Sequence, residues 1–179
     1  MPFDYKSIEQ SVRARFGAEV LDWTQFRSQY VLHLRRNTHV KVMTWLRDEP
    51  AMRFEMLTDV TCMDNLKLPE QMQKKYQDRF TVIYQLYSLL HNDRLRVKVY
   101  VPEEPCELES VSGIWASALW GEREAFDMFG VVFTGHPDLR RILMPDTYEG
   151  HPLRKDYPLK GRGERDNFPK YTEIPEDGQ

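Results

Sequence analysis

The stretch "RFTVIYQLYSLLHNDRLRVKVYV", residues 79–101, decides the fold, because it contains two strands and the turn that joins them. Segment 79–90 is rich in β-branched and aromatic residues, which favour strands. Segment 94–101 alternates leucine and valine with basic residues, as expected of an antiparallel strand with one face in water. The polar residues 91–93 supply the turn. We therefore predict an antiparallel hairpin here.

Two further strands and three helices are predicted around this hairpin. The strands lie upstream, at 30–34 and 53–64, and the polar segment 66–78 connects the second of them to the hairpin. Apolar spacing predicts helices over 5–17, 37–50 and 110–130. Helices at intervals beside such strands indicate an α+β fold, a mostly antiparallel four-stranded sheet packed with helices.

The composition and periodicity of the chain change after Gly130. The last 49 residues, 131–179, hold six of the eleven prolines and five of the nine glycines, and they keep no helical or strand period. Such a segment buries too little apolar area to fold alone. Its spaced apolar anchors are typical of a strip that lies along a surface. We predict a compact domain over 1–130, followed by an extended tail, 131–179, that docks on partner subunits.

Composition excludes several classes of function. A net charge of −3 and a pI near 6.0 argue against nucleic-acid binding. No apolar run is long enough for a membrane span, and the first residues lack the pattern of a signal peptide. The two cysteines, Cys62 and Cys106, are too few for an iron–sulfur cluster. We expect no cofactor in this chain and membrane association only through partners.

Glu122 is the candidate acid of the third helix. On a helical wheel it falls in the middle of the apolar arc, where an isolated carboxylate is costly to bury. It is therefore either an acid/base group with a raised pKa or the ion-pair partner of a tail arginine. Arg123 and Asp127 fall together on the opposite side and are predicted to form a surface pair.

The tripeptide Gly-His-Pro occurs twice in the tail, with its histidines at His136 and His151. A zinc site would need at least one further ligand, such as Asp138, Asp146 or Asp156, and the fifteen-residue spacing matches no ligand pattern. Each histidine lies between a glycine that can adopt positive φ and a proline that favours extended backbone. We favour two tight turns whose imidazoles donate to a nearby carbonyl or carboxylate.

The segment "GEREAFDMFGVVFTGHPDLRRILMPDTYEGHPLRKDYPL", residues 121–159, closely resembles the signature of the C subunit, or 30-kilodalton subunit family, of proton-translocating NADH:quinone oxidoreductase (respiratory complex I). The matching residues are the candidate interface set. They are Glu122, Arg123, Glu124, Asp127, Phe129, Gly130, Gly135, His136, Pro137, Asp138, Leu139, Arg140, Arg141, Gly150, His151, Pro152, Leu153, Arg154, Lys155, Asp156 and Tyr157.

The resemblance implies a peripheral-arm subunit without catalytic residues, metal ligands or cofactor-binding residues of its own. Its expected partners are the other peripheral-arm subunits, above all the D subunit, and its place is the cytoplasmic face of the bacterial inner membrane. The whole enzyme uses NADH, FMN, iron–sulfur clusters and quinone. Two alternatives stay open: the equivalent subunit of a membrane-bound hydrogenase or of a ferredoxin- or F420H2-dependent dehydrogenase, and a hydrolase using Glu122 and the two histidines.

Four basic residues of the tail are predicted to lock it or to form its interface. Some of them are expected to pair with Glu122, Glu124 or Asp156, since the arginine fork fits a carboxylate. They are Arg140, Arg141, Arg154 and Lys155.

Overall fold

The computed structural model describes residues 4–70 and 78–163. These residues form three α-helices, seven β-strands and a short 3₁₀ turn. The helices are α1 (Tyr5–Phe16), α2 (His39–Asp48) and α3 (Ala118–Phe129); the strands are β1 (Val20–Phe26), β2 (Gln29–Leu34), β3 (Met56–Asp64), β4 (Phe80–Ser88), β5 (Asp93–Val101), β6 (Glu107–Glu109) and β7 (Val132–Thr134). Parts of the predicted connection 66–78 and of the tail lie outside the described residues.

The predicted hairpin is confirmed and forms the centre of the main sheet. Strands β4 and β5 pair antiparallel from Phe80 opposite Val101 to Ser88 opposite Asp93. In the described residues the sheet has the order β1-β2-β5-β4-β3, and its pairs are antiparallel except β2 with β5. The short strands β6 and β7 make a separate parallel pair.

One face of the sheet is the core. Along β5, Leu95, Val97, Val99 and Val101 are fully buried, while the basic residues between them are exposed or half-buried. Apolar residues from all three described helices join this face in one cluster. Burial of each large apolar side chain contributes about 1.5–3 kcal/mol, so the alternation fixes which face the helices cover.

Two predictions about the elements need correction. The main sheet has five strands in the described residues, not four, because Val20–Phe26 pairs with β2. Only Val20 of this strand is buried, and the register shifts between Val20 and Asp22, so its sequence lacks a regular alternation. The predicted helix 110–130 is shorter as well, since α3 begins only at Ala118 and residues 111–117 form turns.

The core continues past the predicted boundary at Gly130. Val131 and Phe133 are buried members of the core cluster, and β7 pairs with β6. From Gly135 to Gly163 the chain forms turns without helix or strand. The division into a domain and a docking tail stays a prediction. Within the described residues, no helix is both long and apolar enough to cross a bilayer.

Candidate functional site

The carboxyl end of α3 is where the tail meets the domain. The last carbonyls of a helix have no partner within it and need donors from elsewhere. Here Gly130, whose φ is +78°, ends the helix and donates its N–H to Phe126 O. The tail supplies the other donors: His151 Nδ1 to Asp127 O at 2.9 Å, Leu153 N to Met128 O at 3.1 Å and Arg154 Nε to Phe129 O at 2.6 Å. The tail is thus the cap of this helix.

The carboxylate of Asp127 holds the first part of the tail, and we call this group of contacts the Asp127 cradle. Asp127 Oδ2 accepts three consecutive backbone N–H groups, from Ile142 at 3.0 Å, Leu143 at 2.7 Å and Met144 at 2.8 Å. Arg141 Nη1 donates to Oδ1 at 2.6 Å, and its Nη2 donates to Gly150 O at 3.0 Å. One buried side chain therefore fixes the path of residues 141–144.

The prediction that Asp127 forms a surface pair with Arg123 is wrong. Asp127 is fully buried, and Arg123 instead donates to the carbonyls of Arg140 and Arg141 at 3.0 and 2.9 Å. Burial alone would raise the pKa of Asp127, but the N–H of Met144, the Arg141 guanidinium and the N–H groups of Ile142 and Leu143 hold it below its usual range. The Asp127 cradle is therefore charged at neutral pH.

The sequence contained a signal that Asp127 is held by partners outside its own helix. A carboxylate in the last turn of a helix faces the negative end of the helix dipole, which is unfavourable. Asp127 stands in that position of α3, three residues before the glycine that ends the helix. Only partners from outside the helix offset the cost of such a position.

Both Gly-His-Pro turns have the geometry predicted for them. Gly135 and Gly150 have φ values of +80° and +103°. His136 Nε2 donates to Leu119 O at 3.1 Å while its Nδ1 accepts from Asp138 N at 3.0 Å. His151 donates to Asp127 O. The first corner (135–137) therefore lies at the start of α3 and the second corner (150–152) at its end.

The cations of the tail find other partners than the predicted ones. Arg141 pairs with Asp127, Arg154 donates to the Phe129 carbonyl, and the exposed Arg140 pairs with Asp138. Lys155 contributes its backbone N–H, which donates to Asp64 Oδ2 at 2.8 Å.

A further clamp on the tail was missed from the sequence. Arg79, at the start of the hairpin, contacts Asp64 at 3.2 Å, Asp156 at 2.8 Å and also Glu103. Asp64 is buried and accepts the Lys155 N–H as well, so the second corner is tied to β3 and β4. The pairing of Asp156 with Arg79 replaces the predicted pairing with a tail cation.

Among residues 4–70 and 78–163 no arginine pairs with Glu122, so the predicted ion pair with Arg140, Arg141 or Arg154 is wrong. Its side chain is fully buried, and it contacts Ser110 Oγ at 2.5 Å and accepts the Val111 N–H at 2.8 Å. Burial raises the pKa of Glu122 to about 7, against the smaller lowering effects of these two hydrogen bonds. These two hydrogen bonds of Glu122 join α3 to the loop after β6.

The remaining predicted residues lie around these contacts. Tyr157 Oη lies 2.6 Å from Tyr148 Oη, and Leu139 packs against the core cluster. Glu124 is exposed. In residues 4–70 and 78–163, no group of three or more His, Cys, Asp and Glu side chains is placed to hold a metal ion.

A family model matches residues 32–163, which span the main sheet from β2 onward, α3 and both corners. Its description is respiratory-chain NADH dehydrogenase, 30 Kd subunit. The chain belongs to this family. Curated members named as the C subunit of NADH-quinone oxidoreductase include that of Geobacter metallireducens, 46% identical over 85% of this chain and 88% of its own length. The Geobacter sulfurreducens member is 43% identical over 84% and 87%.

Solved structures agree with this 30-kilodalton family fold. A trypsin-resistant fragment of Nqo5 is 32% identical, with a TM-score of 0.65, and covers 76% of this chain and 100% of its own. A chain of a membrane-bound sulfane sulfur reductase, an archaeal respiratory membrane complex, has a TM-score of 0.72 over 99% of both chains. At 16% identity that second likeness shows the fold alone.

Replacing Glu122 by Gln should remove one pH dependence of stability. The pKa is about 7 in the folded protein against 4.5 as the ordinary value, so folding favours the protonated acid. This contribution is complete below pH 4.5 and is lost as the pH rises through 7, by about 1.4 kcal/mol per pH unit between those values. Urea unfolding from pH 5 to 8 should show the loss in the natural chain but not in Glu122→Gln. The same dependence of unfolding free energy on pH in both chains would contradict the raised pKa of Glu122.

His151 should make the second corner sensitive to acid. Burial, together with Arg154 and Arg141 nearby, lowers the pKa of His151 below 6.5 although the Asp127 carbonyl opposes this. The neutral ring therefore stabilises the fold above pH 6.5, and this contribution is lost as the pH falls through the folded pKa. Hydrogen exchange of the Leu153 amide, corrected for its intrinsic rate, should accelerate on acidification. In His151→Asn, which keeps a donor but does not titrate, it should not.

Proposed function

We propose that this chain is the C subunit in the peripheral arm of a proton-translocating NADH:quinone oxidoreductase. The observation that carries the proposal is the family match over residues 32–163, because it includes the main sheet from β2 onward and the two corners. Relatives at 43–46% identity bear the name of this subunit. The names of these relatives favour this enzyme over the related hydrogenase and ferredoxin- or F420H2-dependent complexes.

In this proposal the chain has a structural role, and the tail is its docking strip. Three leucines of the tail are exposed, Leu143 by 61%, Leu153 by 49% and Leu159 fully. Leu143 donates its own backbone N–H within the Asp127 cradle, and Leu153 follows the second corner, so both are presented by fixed backbone. Apolar side chains held rigidly in water are typical of a surface that another protein covers. We assign that partner as the D subunit.

We further propose that the chain has no cofactor or active site of its own. The two cysteines, Cys62 and Cys106, are too few for an iron–sulfur cluster, which usually needs four ligands. Burial raises the pKa of Cys62 far above its ordinary value, and that of Cys106 to about 11. Both cysteines therefore remain thiols at neutral pH. In the proposed enzyme, the subunits that bind NADH, FMN, iron–sulfur clusters and quinone are other chains, and this subunit lies at the cytoplasmic face of the inner membrane.

Affinity purification of the tagged chain from its native membranes tests the proposal. We expect the D subunit and the NADH- and FMN-binding subunits to co-purify. Recovery of a large subunit with hydrogenase nickel ligands would contradict the assignment to this enzyme.

Point variants test the docking strip itself. Changing Leu143 and Leu153 to Ser should lower recovery of the D subunit severalfold, because the apolar contacts are lost. The matched control changes Leu89 and Leu90, which are also exposed but lie in the turn between β4 and β5. Equal recovery with both pairs of variants would contradict a docking role for the tail.

A further inference from the structure

The main sheet has a second face, opposite the three described helices, which we call the outer face. Side chains alternate between the two faces along each strand, so the outer face carries the residues between the buried positions of β4 and β5. Its central strand, β5, contributes three basic residues in alternation. They are Arg94, Arg96 and Lys98.

Two of these residues, Arg94 and Arg96, contact side chains of the neighbouring strand β4, and neither contact is with a carboxylate. The Arg94 guanidinium lies 5.3 Å from the centre of the Tyr87 ring, and Arg96 Nε donates to Gln85 Oε1 at 3.3 Å. No carboxylate in the described ranges 4–70 and 78–163 forms an ion pair with either arginine. Each guanidinium therefore keeps N–H groups available to a ligand.

The acids of the outer face lie away from its centre. Asp22 is in β1 and Asp59 is in β3, the two strands at the edges of the sheet. Asp59 is opposite Gln85, so β4 separates it from Arg96. The middle of the outer face is thus basic, although the chain as a whole carries a net charge of −3.

Apolar side chains accompany the two arginines. Phe26, which alternation places on the outer face, is 67% exposed, and Ile83 and Tyr87 are half-buried. A surface that combines planar guanidinium groups with exposed aromatic and aliphatic groups fits an amphipathic protein segment that carries carboxylates. Arg94 and Arg96 are two residues apart on one strand, so their Cα atoms are about 7 Å apart.

We propose that the outer face, centred on Arg94 and Arg96, is a docking surface for an acidic, amphipathic segment of a neighbouring protein subunit. Charge complementarity selects this partner, because neither guanidinium has a carboxylate partner among the described residues and each can donate to a carboxylate in bidentate geometry. This surface is separate from the docking strip of the tail, whose contacts lie at α3. The inference rests on the proposed function only in that the chain is a subunit of an assembly.

Charge reversal in the intact assembly tests the surface. With the tagged chain expressed in its native host, Arg94→Glu with Arg96→Glu should lower the amount of co-purifying partner about tenfold, and Arg94→Gln with Arg96→Gln less. The control, Lys6→Glu with Arg13→Glu, makes the same charge change on the exposed side of α1. Urea unfolding of each purified chain verifies that the variants fold.

A zero-length cross-link identifies the occupant. Arg94→Lys with Arg96→Lys keeps the charge and supplies amines that carbodiimide couples to carboxylates in contact. We expect cross-links from positions 94 and 96 to aspartate- or glutamate-containing peptides of another subunit. Cross-links to this chain alone, or normal recovery of the charge-reversed chain with its partners, would overturn the inference while leaving the proposed function intact. If the natural chain recovers no partners, the proposed function fails instead. Binding of the natural chain to anionic lipid vesicles, in place of a protein, would also overturn the docking inference.

Discussion

Asp127→Ala should detach the tail from the domain and cost about 3–5 kcal/mol of unfolding free energy. The carboxylate is fully buried and is the shared acceptor of Arg141 and of the Ile142, Leu143 and Met144 N–H groups. Its removal leaves a largely buried guanidinium and three donors without their acceptor, and a buried charge that loses its partner is strongly destabilising. Such a loss is a large part of the 5–15 kcal/mol typical of a whole domain.

Urea unfolding and limited trypsin digestion measure the two consequences separately. Trypsin should cleave after Arg140 and Arg141 in the variant well before it does so in the natural chain. Asp127→Asn, which keeps one carbonyl oxygen, should be intermediate. The matched control is Asp138→Ala, since Asp138 is exposed and its carboxylate pairs, within the part of the chain that the structure describes, with the exposed Arg140; its cost should stay below about 0.5 kcal/mol. Similar losses in Asp127→Ala and Asp138→Ala would show that the Asp127 cradle does not hold the tail.

Gly130→Ala should displace the second corner and cost about 3–5 kcal/mol. A Cβ atom at this position would lie 2.5 Å from Arg154 Nη2 and 2.5 Å from His151 Nε2. Both side chains donate to carbonyls at the end of α3, so moving them away leaves those carbonyls without their caps. The backbone adds its own cost, since φ is +78°, where residues other than glycine are disfavoured by about 1–2 kcal/mol.

Gly135→Ala is the control that isolates the backbone cost. Its φ of +80° nearly equals that of Gly130, but an added Cβ would meet no atom within 4 Å. We therefore expect about 1–2 kcal/mol for Gly135→Ala when both variants are unfolded in urea. The difference between the two variants measures the contact of the second corner with the helix end. If both lose the same free energy, that contact contributes little.

The hairpin was predictable from the sequence, and the first strand of the sheet was not, for one physical reason. In residues 94–101 every second side chain is apolar because one face is core and the other is wet. In β1 that regularity is missing, since a register shift follows Val20 and only one of its residues is buried. Its place in the sheet depends on pairing with β2, which single-strand periodicity does not report.

The candidate site also contains some features that could be predicted from the sequence and others that could not. The tight turns at His136 and His151 follow from local chemistry, glycine before and proline after. Donation of each imidazole to a carbonyl or a carboxylate was predicted with them, and in both turns the acceptor is a carbonyl. The roles of Glu122 and Asp127 depend on partners outside their own helix. Ser110 precedes Glu122 by twelve residues, and Met144 follows Asp127 by seventeen. A helical wheel places an acid inside or outside but does not show which donors arrive from the rest of the chain.

The Asp127 cradle also sets the order of events during synthesis. A ribosome that adds 5–20 residues per second makes Met144 about one to three seconds after Asp127. Until then the carboxylate at the end of α3 has no backbone donors, and the surface that receives the tail is incomplete. A nascent chain that stops before Arg141 therefore lacks the contacts that finish the domain. The last turn of one helix thus depends on chain made later, because its carboxylate gains its donors only when residues 141–144 arrive.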